Sequence, residues 1–194
     1  MERLKTEIRQ EQLISKAIEI IHTSGFENFS VRELSSSAGI TDGAIYRHFK
    51  SKDEILQGIY IRINKLSQSL FNEISKLESP KDKLRRFIFF NIELFEKYPE
   101  LTTFIISEDI HILDKLVMNE YLLVLKKRQS LLIEIIKEGI SKNEFKEVDP
   151  DIISIMIQGY TRLTLSKWKK SNLGFSLSSN GMKFISTLEI ILFN

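Results

Sequence analysis

A stretch of twelve residues from position 41 to 52 combines small residues with hydrogen-bond donors and positive charge. Gly43 has no side chain, so the backbone there can approach another molecule closely. The hydroxyl, guanidinium and imidazole groups of Tyr46, Arg47 and His48 follow one turn later. The last ten residues of the stretch hold three Lys or Arg residues and no Asp or Glu. Because such donors and cations bind phosphate oxygens, the stretch is a candidate surface for nucleic acid.

Helix signals around this stretch predict short, closely connected helices that would position these groups. Ser30 and Glu33 form a capping box, in which each side chain can accept from the other residue's backbone amide. Gly39 ends the short helix that follows, and Thr41 caps a third helix of about two turns. A second capping box at residues 51–54 opens a much longer helix.

The rest of the chain also shows helical periodicity, and no stretch has the alternation typical of a strand. Pro80 and Pro150 each begin a helix, because proline is well suited to a first helical turn. The approximate predicted helices are 5–24, 31–38, 42–49, 52–77, 80–98, 100–107, 109–119, 120–142, 150–170 and 180–192. The expected fold is all-α with nine to ten helices, an N-terminal three-helix helix-turn-helix domain joined to a C-terminal helical bundle.

Two short helices that cross at a steep angle over a tight turn form the helix-turn-helix arrangement, whose second helix enters the major groove of DNA. The small residues at its start would let base edges come close, and Asp42 could accept a hydrogen bond from a cytosine amine. Lys52 lies at a helix start, where backbone amides and the helix dipole attract phosphate. The candidate DNA-contacting residues are Ser30, Arg32, Thr41, Asp42, Gly43, Ala44, Tyr46, Arg47, His48, Lys50 and Lys52.

The segment SVRELSSSAGITDGAIYRHFKSKDEIL, residues 30–56, resembles the signature of the TetR/AcrR family of bacterial one-component regulators. The matching positions are Val31-Arg32, Leu34, Ala38-Gly39-Ile40, Gly43, Ile45-Tyr46, His48-Phe49, Ser51-Lys52 and Leu56. Ser35 departs from the family, which usually has alanine there, and a serine fits if its hydroxyl bonds back to the helix. The resemblance is strong over about residues 8–60. It implies a DNA-binding domain at 7–67, with the motif at about 30–49, and a ligand-binding and dimerisation domain at 68–194.

Composition and charge limit the kinds of site that the chain can form and the location expected for it. The chain has 194 residues, no cysteine and three widely spaced histidines, so disulfides are excluded and neither a metal site nor a cofactor is expected. The N-terminal residues lack the apolar core of a secretory signal, and no apolar run is long enough to span a bilayer; we expect a cytoplasmic protein without membrane contact. The net charge is +2, but residues 1–56 carry eight Lys or Arg against nine Asp or Glu. DNA affinity would therefore depend on a local patch and on its doubling in a dimer.

The predicted bundle holds aromatic and polar side chains that could line a ligand cavity, although most such residues at helical spacing belong to a core. Asn91 among phenylalanines and Arg162 near a tyrosine are polar groups that would need partners, which a small hydrophobic or amphipathic effector could supply. The candidate ligand residues are Phe87, Asn91, Phe95, Phe104, Tyr121, Tyr160 and Arg162. Glu108, Asp109 and His111 could suggest a metal or acid–base pair, but we prefer a capped helix start.

Two long predicted helices, 120–142 and 150–170, carry apolar residues that could form a four-helix interface between two copies. The alternative is burial inside a single copy. The family resemblance favours the interface, as do the symmetric half-sites that such proteins bind. The candidate interface residues are Leu125, Leu132, Ile136, Ile153 and Ile157.

These patterns predict a ligand-responsive DNA-binding transcriptional regulator, most simply a repressor that binds palindromic double-stranded operator DNA as a homodimer. An effector in the bundle would shift helices against the long fourth helix and change the separation of the two DNA-reading helices. The alternative is an effector-independent architectural or nucleoid-associated factor, which a bundle without a cavity would favour. An enzyme is not expected, since the sequence shows no nucleophile–base spacing and no Gly-rich phosphate loop. A helical protein-binding module would retain no specific DNA.

Overall fold

The computed structural model describes residues 2–107 and 115–194, and these ranges form helices with no strand. The α-helices are α1 Glu2–Ser24, α2 Val31–Ala38, α3 Asp42–Tyr46, α4 Lys52–Ile74, α5 Pro80–Lys97, α6 Thr102–Ile106, α7 Lys115–Ser141, α8 Pro150–Lys170 and α9 Leu177–Leu192. A 3-10 helix, Pro99–Leu101, precedes α6. The predicted all-α class is confirmed. Among the described helices, none is both long and apolar enough to cross a membrane.

Several helix boundaries differ from the prediction by three residues or more, among them the end of α3 and the start of α7. α3 ends at Tyr46, because the amides of His48 and Phe49 both bond to the Ile45 carbonyl, at 2.8 and 3.0 Å, and close the chain into a tight turn. α7 begins at Lys115, so the end of the short helix predicted at 109–119 is the first turn of α7. The remainder of that prediction, with the carboxylates and histidine considered there, lies outside the described residues.

The described residues form two compact units. The first contains the residues up to Asn64 together with those of the range Thr103–Leu122, and the second contains Lys65–Thr102 and Leu123–Asn194. The division falls inside α4 and α7, so each of these helices contributes residues to both units.

The core of the first unit holds the apolar faces of α1 to α4. Ala17 and Ile21 of α1, Leu34 of α2, Ile45 of α3 and Ile59 of α4 have no exposed surface. Ala17 and Ile21 are four residues apart, a spacing that places both side chains on one face of a helix. Each short helix is therefore fixed by at least one fully buried aliphatic side chain, which leaves its opposite face free.

The second unit has its own core, built from α4, α5, α7, α8 and α9. The buried side chains include Leu70, Ile74, Leu84, Phe87, Ile88, Leu132, Ile136, Ile153, Ile157, Ile185 and Leu188. Four residues of the predicted dimer interface are among them: Leu132 and Ile136 are 0 % exposed, Ile153 is 6 % and Ile157 is 1 %. These side chains have almost no surface left to bury against a second copy, so they belong to the internal core. Leu125, the fifth, is half-buried.

Gly139 on α7 makes room for an aromatic side chain in this core. A Cβ atom at this position would lie 2.2 Å from Cδ2 of Phe145, whose ring is 2 % exposed and stacks on Phe193 with centroids 5.1 Å apart. We expect Gly139→Ala to lower the free energy of unfolding by about 1–3 kcal/mol, because the ring must move within a packed core.

Urea denaturation of the purified protein measures this change. Ser130→Ala, an exposed position on the same helix, is the matched control and should change the free energy by less than about 0.5 kcal/mol. Equal stability of the two variants would contradict this account of the packing.

Candidate nucleic-acid interface

The start of α2 and the turn after it are fixed by local hydrogen bonds. The Ser30 Oγ accepts from the Glu33 amide at 3.1 Å, as predicted for an N-cap. Gly39 has φ +65°, a left-handed conformation that favours glycine, and it allows the Ile40 amide to reach the Ser35 carbonyl at 3.0 Å. The chain therefore reverses within two residues, which places α3 directly after α2.

The Thr41 Oγ1 caps α3 by accepting from the Ala44 amide at 3.2 Å. Ile45 anchors the inner face of α3, and Tyr46 on the opposite face is 53 % exposed. Six exposed residues on α3 or flanking it form what we call the reading surface: Thr41, Asp42, Gly43, Tyr46, Arg47 and Lys50. Of the other predicted DNA-contacting residues, Ser30 and Arg32 are exposed, and Ala44, His48 and Lys52 are half-buried. The structure thus brings every predicted DNA residue together in the first unit.

Ser35 links α2 to α3. Its side chain is buried, and its hydroxyl lies 2.9 Å from the Arg32 carbonyl, the back-bond expected for a serine at this position. The hydroxyl also forms a hydrogen bond with Asp42 Oδ1. Because a hydroxyl has one proton, it donates to one of these oxygens at a time. Asp42 therefore has an internal partner across the helix crossing, a role that the sequence did not predict.

The start of α4 carries the second cap. The Ser51 Oγ accepts from the Glu54 amide at 3.2 Å, and the Glu54 carboxylate accepts from the Lys50 amide. The ammonium of Lys52 lies 5.6 Å from the centroid of the Phe29 ring. Cation–π contact holds this charge beside the start of α4, where it can meet a phosphate.

His48 is positioned by a contact that links it to α1. Its backbone carbonyl accepts a hydrogen bond from Gln10 Nε2 at 2.8 Å. Gln10 is 38 positions away in the sequence, so no local pattern could have identified this contact. The His48 Nδ1 is buried and has no hydrogen-bond partner among the described residues. This favours a ring proton on Nε2 over one on Nδ1, since a proton on Nδ1 would be a buried donor without a partner.

The second unit contains a cavity between α5, α8 and α9, with about 340 Å³ of space, part of it open to solvent. Its wall is mainly apolar, with Ile92, Leu165 and Gly181 among the lining residues. Of the predicted ligand residues, Asn91, Phe95 and Tyr160 line this cavity. The Tyr160 ring stacks on Phe184 with centroids 3.7 Å apart, and its hydroxyl donates to the Asn180 carbonyl at 3.1 Å.

The other predicted ligand residues lie elsewhere. Phe87 belongs to the core of the second unit, and Arg162 is on an exposed face of α8. Phe104 and Tyr121 belong to the first unit, where both rings pack edge-on against Tyr60. Burial raises the pKa of the Tyr60 phenol, and Tyr121 adds to the effect. Helical spacing identified these aromatic residues but could not assign them to one site.

Asn91, the buried polar residue that suggested a ligand, has partners inside the protein. Its Nδ2 donates to the Phe87 carbonyl at 2.7 Å, and its Oδ1 accepts from Nη2 of Arg128 on α7. Arg128 was not predicted from the sequence. It directly follows Lys126 and Lys127, and three consecutive basic residues usually lie on a solvent-exposed surface.

Comparison with known proteins extends the likeness along most of the chain. The family model for bacterial regulatory proteins of the tetR family matches residues 13–59. The fatty acid metabolism regulator protein of Bacillus subtilis is 26 % identical over 170 residues, which cover 86 % of each chain. The structure of FadR from Bacillus subtilis in complex with stearoyl-CoA has a TM-score of 0.78 and 24 % identity, covering 92 % of this chain and 96 % of that one.

A further structure, AibR in complex with isovaleryl coenzyme A and operator DNA, has a TM-score of 0.81 and 18 % identity, covering 94 % of this chain and 97 % of that one. These structural likenesses establish the fold. The exposed α3, the cap at its start and the match over residues 13–59 together lead to one conclusion: the chain carries the DNA-binding domain of the tetR family of bacterial regulatory proteins and is a DNA-binding transcriptional regulator.

Proposed function

We propose that the protein is a ligand-responsive repressor that binds a palindromic operator as a homodimer, and that its effector is an amphipathic molecule of the acyl-CoA type. The observation that carries the proposal is the presence, in one chain, of an exposed reading surface in the first unit and an apolar cavity in the second. Action on the chromosome would place the protein in the bacterial cytoplasm.

The DNA contacts divide into two kinds. The start of α3, from Thr41 to Ala44, has small side chains that let it enter a major groove and meet base edges. Tyr46, Arg47 and Lys52 follow at positions where they would donate to backbone phosphates. Because few charges are available in each subunit, a useful affinity requires two reading surfaces on one operator.

The outer faces of α8 and α9 support a dimer. Ile152, Ile155 and Leu163 on α8 are 54 %, 58 % and 57 % exposed, and Ile190 on α9 is 78 % exposed. Gly159 lies on the same face of α8, and a Cβ added there would meet no atom within 4 Å. Extended apolar faces of this kind are unusual on a monomer and typical of an interface. We therefore place the dimer interface on these faces, opposite the residues that the sequence suggested.

The cavity supports the effector. Its space of about 340 Å³ includes a part that is open to solvent, and the enclosed part is small. An apolar wall with few polar groups fits an acyl chain, and two proteins of the same fold are complexed with stearoyl-CoA and isovaleryl coenzyme A. A cavity also argues against the effector-independent alternative, for which a fully packed bundle was the expected sign.

The proposal is tested by operator release. An operator recovered from random duplex DNA is bound by the purified protein, and an acyl-CoA series from acetyl to stearoyl is added while fluorescence anisotropy reports bound DNA. The expected result is release by at least one member of the series at micromolar concentration. Operator binding that no acyl-CoA alters would contradict the effector class, and the absence of any retained operator would contradict the whole proposal.

Closing the cavity should uncouple the effector from DNA. A Cβ at Gly181 would lie 1.8 Å from Cδ1 of Ile92, and both residues line the cavity. We expect Gly181→Ala to push the flexible Ile92 side chain into the cavity and to weaken the releasing acyl-CoA about tenfold, the scale of about 1.4 kcal/mol. Operator affinity without acyl-CoA should stay within twofold of wild type.

Lys183→Ala, an exposed position on α9, is the matched control and should release DNA as the wild type does. Equal acyl-CoA sensitivity of both variants would show that the effector does not occupy this cavity.

A further inference from the structure

Arg128 is a charged side chain held inside the second unit, and the described residues give it no acidic partner. Its Nη2 donates to Asn91 Oδ1, its Nη1 lies 3.4 Å from Ser67 Oγ, and its Cζ lies 5.5 Å from the centroid of the Phe87 ring. Among the described residues, no carboxylate oxygen lies within 4.0 Å of its guanidinium nitrogens. A guanidinium has five N–H donors, so most of them remain available to another acceptor.

The environment of this guanidinium disfavours its charge. Burial lowers the pKa of Arg128 to about 10, through the loss of hydration of the guanidinium. The side chain nevertheless remains protonated at neutral pH and keeps a part of its surface accessible. A cation that is largely surrounded by protein but keeps some exposed surface can still be approached by an anion.

Two other arginines of the same unit have guanidinium groups that are paired with carboxylates. Arg86 bonds to the carboxylates of Glu73 and Glu93, at 2.5 and 2.8 Å, and lies over the Phe90 ring at 5.6 Å. Arg85 bonds to two carboxylates as well. Arg128 has the same placement over an aromatic ring, but its partners among the described residues are an amide and a hydroxyl. Compared with Arg85 and Arg86, the described surroundings of Arg128 lack a pair of anionic oxygens.

Asn91 connects Arg128 to the cavity that we propose as the effector site. Asn91 both lines the cavity and accepts from Arg128, so the guanidinium lies one hydrogen bond behind the wall. The rest of the wall near Asn91 is apolar, formed by Ile88, Ile92 and Phe95 on the same helix. A molecule with an apolar chain and an acidic group therefore has a complementary surface here, with its acid directed toward Asn91.

We propose that Arg128 is the anion-binding group of the effector site and that the effector presents carboxylate or phosphate oxygens to it, displacing or sharing the Asn91 contact. This inference rests on the proposed function, since it names the chemical group by which that effector is recognised. Two sources carry the required oxygens: the carboxylate of a free fatty acid and the phosphates of its CoA thioester. A neutral molecule with the same chain would fill the cavity but leave the cation unpaired.

The test compares three probes of equal chain length on the full-length protein: decanoic acid, decanoyl-CoA and 1-decanol. Isothermal titration calorimetry measures their Kd values. We expect decanoic acid or decanoyl-CoA to bind at least tenfold more tightly than 1-decanol, and the tighter of the two identifies the source of the anion. This comparison uses only the wild type, so it does not depend on the folding of any variant.

Variants then assign the effect to Arg128. Arg128→Met keeps an apolar stem without charge and should lower the affinity for the acidic probe at least tenfold while changing 1-decanol less than twofold. Arg128→Lys retains the charge and should recover part of the affinity. Arg86→Met, the matched control with a similar ring contact and two acid partners, should leave all three Kd values unchanged.

Equal binding of 1-decanol and the acidic probes, no binding of any acidic probe, or full acid binding by folded Arg128→Met would each overturn the inference. Operator retention measured on the same samples separates this result from the proposed function. A wild type that binds no operator contradicts the repressor, whereas operator release by a neutral effector contradicts only the role of Arg128.

Discussion

The Ile155→Glu variant is expected to be a monomer that binds the operator at least 100-fold more weakly than the wild type. Ile155 is 58 % exposed on the outer face of α8, so the substitution should leave the fold of one chain intact. In a dimer the carboxylate would be buried in an apolar interface without a partner, at a cost of several kcal/mol. A monomer then loses the second half-site, which supplies about half of the binding free energy.

Light scattering coupled to size exclusion measures the mass, and fluorescence anisotropy measures operator affinity. Ile61→Glu on α4 introduces the same charge at another partly exposed isoleucine, 39 % exposed, and serves as the control for oligomeric state. It should remain dimeric. An Ile155→Glu protein that stays dimeric at micromolar concentration would place the interface elsewhere.

The Tyr46→Ala/Lys52→Ala double variant is expected to lose operator affinity about 100-fold at about 0.1 M salt. Each subunit loses one phenol and one ammonium donor to phosphate, so the dimer loses four contacts near the protein surface, and such contacts contribute about 0.2–1 kcal/mol each. The dependence of log affinity on log salt should fall by about two, because each of the two subunits then contacts one phosphate charge fewer. The fold should survive, since Tyr46 is 53 % exposed and contributes nothing to the core.

Thermal denaturation checks the fold of this variant, including the loss of the Lys52 contact with Phe29. Lys76→Ala, an exposed lysine in the second unit, is the control and should leave affinity and salt dependence unchanged. If the double variant matches the wild type in both quantities, these two residues do not contact DNA.

The reading surface could be predicted from the sequence because its determinants are local. Ser30, Thr41 and Ser51 each cap a helix through an amide three residues away, and Gly39 supplies a left-handed turn. Such signals depend only on neighbouring residues, so they can be recognised in the sequence without knowledge of the rest of the fold. Contacts between residues that are distant in the sequence could not be predicted in this way. The Gln10 hydrogen bond to the His48 carbonyl has no signal in either segment.

The second unit was harder to predict because α8 is apolar on two faces. Ile153 and Ile157 face the core, whereas Ile152 and Ile155, one or two positions away, face outward. Periodicity shows that a helix has an apolar face but does not show which of two such faces meets its own chain. Whether a polar residue such as Asn91 meets a ligand or an internal partner is decided by Arg128, which is 37 residues away.

The central claim is that this protein reads a symmetric DNA sequence as a dimer, and selection from random duplex DNA tests it most directly. The purified wild type is incubated with the pool, bound duplexes are amplified and sequenced, and the mass of the complex is measured on the enriched sequence. The account predicts an inverted repeat with half-sites about 34–36 Å apart, or a multiple of that distance, bound by an even number of chains. Enrichment of an asymmetric sequence bound by one chain, or no enrichment, would contradict it.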